Sequence, residues 1–372
     1  MPILLTPLLV TWFFVLQAAS APSSSAMKAD VDRLVAAAEQ RTDHWPRQVP
    51  PAIPEVGQVA RHGKPVVPLL LSLLSDDPDA ARDPKGWKVQ QQAALALCRI
   101  YSQIPYCGRA YCEGDPPERL RFVKKGWLTK ISADAALHAL APAELVEQFK
   151  RETAFWLQME TGRVLADTGV RSAIRELEPL LTAEDRHVRG NAAFVLARLG
   201  DARGFDVIVQ ILADRSPRPV GQGIPIAVRD WSAAQIAADR YYAAHLLGDL
   251  KDRRGVSVLI PLLDDPVVRT AVPWSLAEIG DARAIGPLLA VLDRDDPSMR
   301  VIAISALERM SAREALPRLR ELLADDRKAN FGELLTVADA ARHAIAVVSS
   351  GVRITPQNVP IVQRPRTWPF QG

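Results

Sequence analysis

Between residues 185 and 326 the chain repeats one pattern of apolar and polar positions about every 30 residues. An arginine marks each copy, at Arg189, Arg240, Arg269 and Arg300. Seven residues later comes Leu196, Leu247, Leu276 or Leu307, and ten later Leu199, Leu250, Ile279 or Met310. Small pairs, Ala192-Ala193 and Ala243-Ala244, fill the third and fourth places after the first two arginines. Spacings of three, four, seven and ten put these side chains on one face of a helix, and the alanines let a neighbouring helix approach closely.

The polar residues between the apolar runs predict how each helix stops. Gly200 and Gly280 stand where a left-handed residue closes a first helix, and Asp201 and Asp281 follow as caps for a second. Lys251-Asp252 and Ser311-Ala312 are degenerate copies of that turn. The second helices end in acidic turns, Asp264-Asp265-Pro266 and Asp295-Asp296-Pro297, in which aspartate caps the next helix and proline enters its first turn. Weaker copies run upstream, at 158–169, 90–100, 66–74 and 31–38, and one final helix is expected over 337–347. The expectation is all-α: a superhelical solenoid of about six or seven hairpins from residue 28 to residue 349, since one hairpin cannot bury its apolar stripe alone. Each repeat arginine is expected to pair with an acidic turn, forming a ladder along the array.

The phrases Leu199-Gly200-Asp201-Ala202-Arg203 and Ile279-Gly280-Asp281-Ala282-Arg283 resemble the short bacterial HEAT repeats of the phycobilisome-lyase-like type. The resemblance implies an α–α superhelix with a curved surface for partners, lined by the second helices. Its lyase members imply an alternative role, as a module acting on a tetrapyrrole or other small ligand.

Composition narrows the partner. The net charge of +3 over 372 residues gives no general case for nucleic acid, which needs clustered Lys and Arg. Residues 3–16 are almost wholly apolar and small residues follow, which predicts a signal peptide over 1–26 with cleavage near 20–26 and a periplasmic or secreted location. Membrane attachment is expected only if that segment is retained as an anchor. In an oxidising compartment Cys107 and Cys112 are candidates for a loop disulfide, leaving Cys98 on a helix.

Three segments break the period. Residues 101–131 carry a basic and aromatic run, from which Arg121, Lys124 and Trp127 are candidate partner contacts. Residues 214–231 form a Pro/Gly insertion ending in Arg229 and Trp231, and long loops of this kind often carry function. Residues 350–372 read as an extended, Pro-rich tail with Trp368 as a third anchor. The six histidines, 44, 62, 138, 187, 245 and 343, are scattered, with no zinc signature or nucleophile elbow around them. The expectation is therefore a monomeric, non-enzymatic scaffold with no cofactor or metal, binding a protein or peptide.

Overall fold

A computed structural model describes residues 24–42, 53–77, 84–101, 123–217, 231–329 and 336–350, and they form 17 α-helices. The N-terminal group is α1 (Ser24–Glu39), α2 (Pro54–Ala60), α3 (Val67–Ser72) and α4 (Pro84–Ile100). Then come α5 (Val123–Ala139), α6 (Pro142–Arg151), α7 (Phe155–Asp167) and α8 (Ala173–Leu177). The regular hairpins follow: α9 (Arg186–Arg198) with α10 (Ala202–Ala213), α11 (Trp231–Leu250) with α12 (Arg254–Leu259), and α13 (Val272–Ile279) with α14 (Ile285–Val291). They end with α15 (Pro297–Arg309), α16 (Leu316–Glu321) and α17 (Val337–Ser350). First helices pack on one another in sequence, α7 on α9, α9 on α11, and so on to α17, as an α-solenoid requires.

The turns form as their residues demand. Gly169, Gly200 and Gly280 all have positive φ, and Lys251 and Ser311 adopt the same left-handed conformation in the degenerate copies, at φ 56° and 53°. Asp201, Asp252 and Asp281 accept hydrogen bonds from the backbone N–H two residues on. Asp296 caps α15 by accepting from the Met299 N–H at 3.1 Å, with Pro297 as the first helical residue. One first helix is short. α13 opens at Val272, because Pro273 has no N–H to give the Arg269 carbonyl. Gly248 answers a different need: a Cβ there would lie 2.6 Å from the Ser275 Cα, so α11 and α13 meet only around glycine.

The expected arginine ladder is present. Arg240 lies 2.6 Å from Asp265, Arg300 2.6 Å from Asp325, Arg269 3.3 Å from Asp296, and Arg189 4.0 Å from Asp214. Each arginine thus reaches from a first helix, or for Arg269 from the turn just before one, to the acidic turn that starts the next hairpin.

Among the described residues the apolar core falls into two clusters. One cluster runs from Leu145 to Ala344, and a second from Val31 to Trp127. Helix α5 and the residue after it join them: Trp127 and Ile131 belong with the N-terminal cluster, Leu137 and Leu140 with the larger one. The later part of the expected 101–131 insertion is therefore helical.

Candidate functional site

Most side chains on the first helices are apolar where they meet their neighbours, but α7, α9 and α11 converge on a polar and aromatic cluster. The Phe155 ring, at the start of α7, stacks on the His187 imidazole with centroids 4.4 Å apart and planes 18° from parallel. Tyr242 of α11 meets both rings edge-on, at 5.5 Å and 5.4 Å, the T-shaped geometry that ring quadrupoles favour. Phe155 and Tyr242 are half-buried, while His187 lies buried behind them.

Hydrogen bonds fix these rings in place. The Tyr242 hydroxyl donates to Asn191 Oδ1 at 2.6 Å. The Asn191 amide donates to the Phe155 carbonyl and to Gln158 Oε1, at 2.9 Å and 2.8 Å. Gln158 in turn donates to the Phe149 carbonyl at 3.1 Å. Buried amides are costly unless satisfied, so this chain specifies one arrangement of the three helices.

The charged side of the cluster is equally connected. Asp239, 1% exposed, places Oδ1 3.5 Å from His187 Nε2 and Oδ2 3.3 Å from Arg186 Nη1. Arg186 also reaches Asp214 at 2.8 Å and donates to the Ser216 hydroxyl at 2.6 Å. Burial works against the Asp214 charge, but hydrogen bonds from Ser216 and the Arg186 guanidinium outweigh it and hold the carboxyl below its ordinary value. Deeper in the array Arg163 of α7 pairs with Asp249 of α11 at 2.6 Å, lying over the Phe194 ring of α9. Burial disfavours the Arg163 charge, yet Asp249 more than restores it.

Chemically, the cluster offers a half-exposed aromatic surface backed by an imidazole whose orientation is set by a buried carboxylate. That suits contact with a flat, conjugated ligand. Among the described residues no group of His, Cys, Asp and Glu is arranged to hold a metal ion. The described helices include none long and apolar enough to cross a membrane.

The contacts expected from sequence lie elsewhere. Trp127 is 1% exposed, packed 6.4 Å from the Tyr101 ring with the Lys130 ammonium over it, so its indole is closed to a partner. Lys124 lies in the first turn of α5, where its N–H donates to Asp76 at 2.9 Å. Trp231 opens α11. Arg121, Arg229, Trp368, Cys107 and Cys112 lie outside the described residues; Cys98 is a buried residue of α4. The Phe155–His187–Tyr242 cluster was not anticipated. A sequence signal for it exists: the residue before each repeat arginine is Val188, Val268 or Met299, but Asp239 before Arg240, a carboxylate where the core wants an apolar side chain.

Residues 142–224 and 233–300 match the family of HEAT repeats, and residues 299–325 match the PBS lyase HEAT-like repeat. With the stacked hairpins above, these matches make the described array one of HEAT-like repeats. Among its relatives is a bilin biosynthesis protein, PecE, of a Nostoc species, 32% identical over 146 residues, which are 38% of this chain and 53% of that one. The phycocyanobilin lyase subunit alpha of a Picosynechococcus species is 31% identical over 110 residues, 26% of this chain and 41% of the relative. The Nostoc phycocyanobilin lyase subunit alpha is 23% identical over 249 residues, 65% of this chain and 86% of the relative. The chain spans about half the length of the first of these. The expectation of a non-enzymatic chain is overturned by these relatives, which are named for bilin biosynthesis and as lyase subunits. Repeat proteins assemble side chains across stacked helices rather than in short contiguous signatures, so a sequence without such signatures does not argue against an enzyme.

Proposed function

We propose that this HEAT-repeat chain is a lyase-type module acting on a linear tetrapyrrole, and that the Phe155–His187–Tyr242 cluster is where the ligand rests. The observation that carries this reading is the likeness to PecE, at 32% identity over 146 residues. The cluster supplies a fitting surface, and it lies within the residues that match HEAT repeats. A conjugated pyrrole plane stacks on the half-buried rings. The Asp239 carboxylate lies 3.5 Å from the buried His187 ring, which backs the Phe155 face on which the ligand rests. A protein partner belongs to the same proposal, since two of the relatives are named as subunits.

The test is a titration of the purified full chain with phycocyanobilin, read by its absorbance and fluorescence. Binding is expected, with His187→Gln and Tyr242→Phe each weakening it about tenfold, the equivalent of ~1.4 kcal/mol. Arg269→Ala, far from the cluster in sequence and exposed, is the control and binds normally. No binding by the parent chain, or equal binding by all three variants, overturns the proposal.

A further inference from the structure

Among the described residues, one carboxylate in the row of repeat positions that includes Tyr242 makes no hydrogen bond. Tyr242 stands two places after Arg240, and Asn191 two places after Arg189. Gln158 fills the arginine's place in α7, and two places on is Glu160. In the later hairpins the same position holds Ala271 and Ile302, both buried and apolar. Equivalent positions of stacked repeats lie side by side, and the 2.6 Å bond from the Tyr242 hydroxyl to Asn191 Oδ1 joins two of them. Glu160 is the third member of this polar row. It lies on the same helix as Phe155, about 7.5 Å further along the axis.

Its surroundings leave its oxygens unused. Glu160 is half-buried, and the nearby charges are directed elsewhere. The Lys130 ammonium lies over the Trp127 ring at 5.4 Å, Arg163 pairs with Asp249 at 2.6 Å, and Asp134 is held by Lys64 at 2.7 Å. Burial raises the Glu160 carboxyl above its ordinary value, and Lys130 and Arg163, with Asp134 against them, do not restore it. A carboxyl raised in the folded state weakens the fold above its unfolded value, about 4.3, as it ionises. At neutral pH the fold therefore gains nothing from this charge, which stands where later repeats carry apolar side chains.

We propose that the Glu160 carboxylate accepts hydrogen bonds from the ring N–H groups of the tetrapyrrole that rests on Phe155 and Tyr242, and so selects the ligand by its nitrogens. The inference rests on the function proposed above and deepens it. Stacking alone accepts any conjugated plane, whereas a carboxylate beside the stack favours a plane that carries N–H donors. The ligand's own carboxylates are turned away by like charge. A carboxylate at that place also favours the protonated, cationic form of the conjugated rings.

The experiment uses the full chain, phycocyanobilin and the substitution Glu160→Gln, which keeps the size and removes the charge. Without ligand at pH 7, the variant melts at or above the parent's temperature. It binds the ligand about tenfold more weakly, and the bound ligand loses its proton at a pH lower by about one unit or more, read from its visible absorbance. Glu160→Asp retains the charge and keeps that titration near the parent's. A purely structural role would lower the melting temperature and leave the ligand's titration in place, so either of those results overturns the inference, as does equal affinity. If His187→Gln and Tyr242→Phe weaken binding while Glu160→Gln does not, the aromatic cluster keeps its proposed role and Glu160 loses its own. No binding by the parent chain overturns both.

Discussion

Arg186 and Arg240 are both buried arginines on first helices, and both reach a carboxylate in an acidic turn, yet they belong to different kinds of structure. Arg240 is one rung of a ladder. It donates to the Leu212 carbonyl and to Asp265, and arginines at the same repeat position do the same work at Asp214, Asp296 and Asp325. Arg186 stands outside that register. It lies between Asp214 and Asp239, and Asp239 continues the connection to a histidine stacked in a ring cluster. A contact that recurs with the repeat is explained by the repeat. A contact that occurs at one junction, and replaces apolar core residues to do so, needs another reason, and ligand chemistry is the reason proposed above.

Removing the most buried rung has the largest expected effect. The Arg240 side chain is 4% exposed. Arg240→Ala removes the Arg240 donor from the Leu212 carbonyl and the buried guanidinium from Asp265, which keeps the Val267 N–H at 2.9 Å and the exposed Arg215 at 3.3 Å. Breaking a buried pair from one side costs about 3–5 kcal/mol, to be measured by urea unfolding of the full chain. A cost under about 1 kcal/mol would show that the ladder is not what joins these hairpins, and the contrast with Arg186 would lose its basis.

The next effect depends on pH and is smaller. Hydrogen bonds from Arg327 and then Arg300 hold the Asp325 carboxyl well below the usual carboxylate range, with burial opposing them. A carboxyl depressed in the folded state stabilises the protein above its unfolded value, about 3.9, and that contribution is lost as pH falls through the folded value. Stability should therefore drop on acidification below about pH 4, and Asp325→Asn should flatten that acid limb while lowering stability at neutral pH. An unchanged acid limb in the variant would assign the acid sensitivity to other carboxylates.

How much of this was legible follows the same division. The hairpins, the left-handed turns at Gly200 and Gly280, the aspartate caps and the ladder could be read because each feature recurs, and recurrence separates signal from composition. The aromatic cluster could not, because Phe155, His187 and Tyr242 come from three helices and share no spacing. Only Asp239, a charge at an apolar repeat position, betrays it. Trp127 shows the converse. A tryptophan among lysines reads as a surface contact, but α5 serves two clusters of the described core, one through Trp127 and Ile131, the other through Leu137. A helix covered on different sides at its two ends has no single apolar stripe from which burial can be inferred.

The smallest effect is expected where the ladder is regular in sequence and irregular in structure. Arg269 occupies the repeat position, but Pro273 shortens its helix to Val272–Ile279, so the arginine precedes the first helical turn. Its pair with Asp296 spans 3.3 Å, with side chains 44% and 30% exposed. Water already solvates both groups, so Arg269→Ala should cost at most about 1 kcal/mol in urea unfolding, and that cost should shrink further in high salt. The comparison with Arg240→Ala holds the sequence position and the partner type constant and changes burial, together with the bond to the Leu212 carbonyl that burial accompanies. If Arg269→Ala proved as damaging as Arg240→Ala, burial would not set the strength of the rungs, and the repeat position itself would have to be doing so, through an effect on the turn that both arginines share.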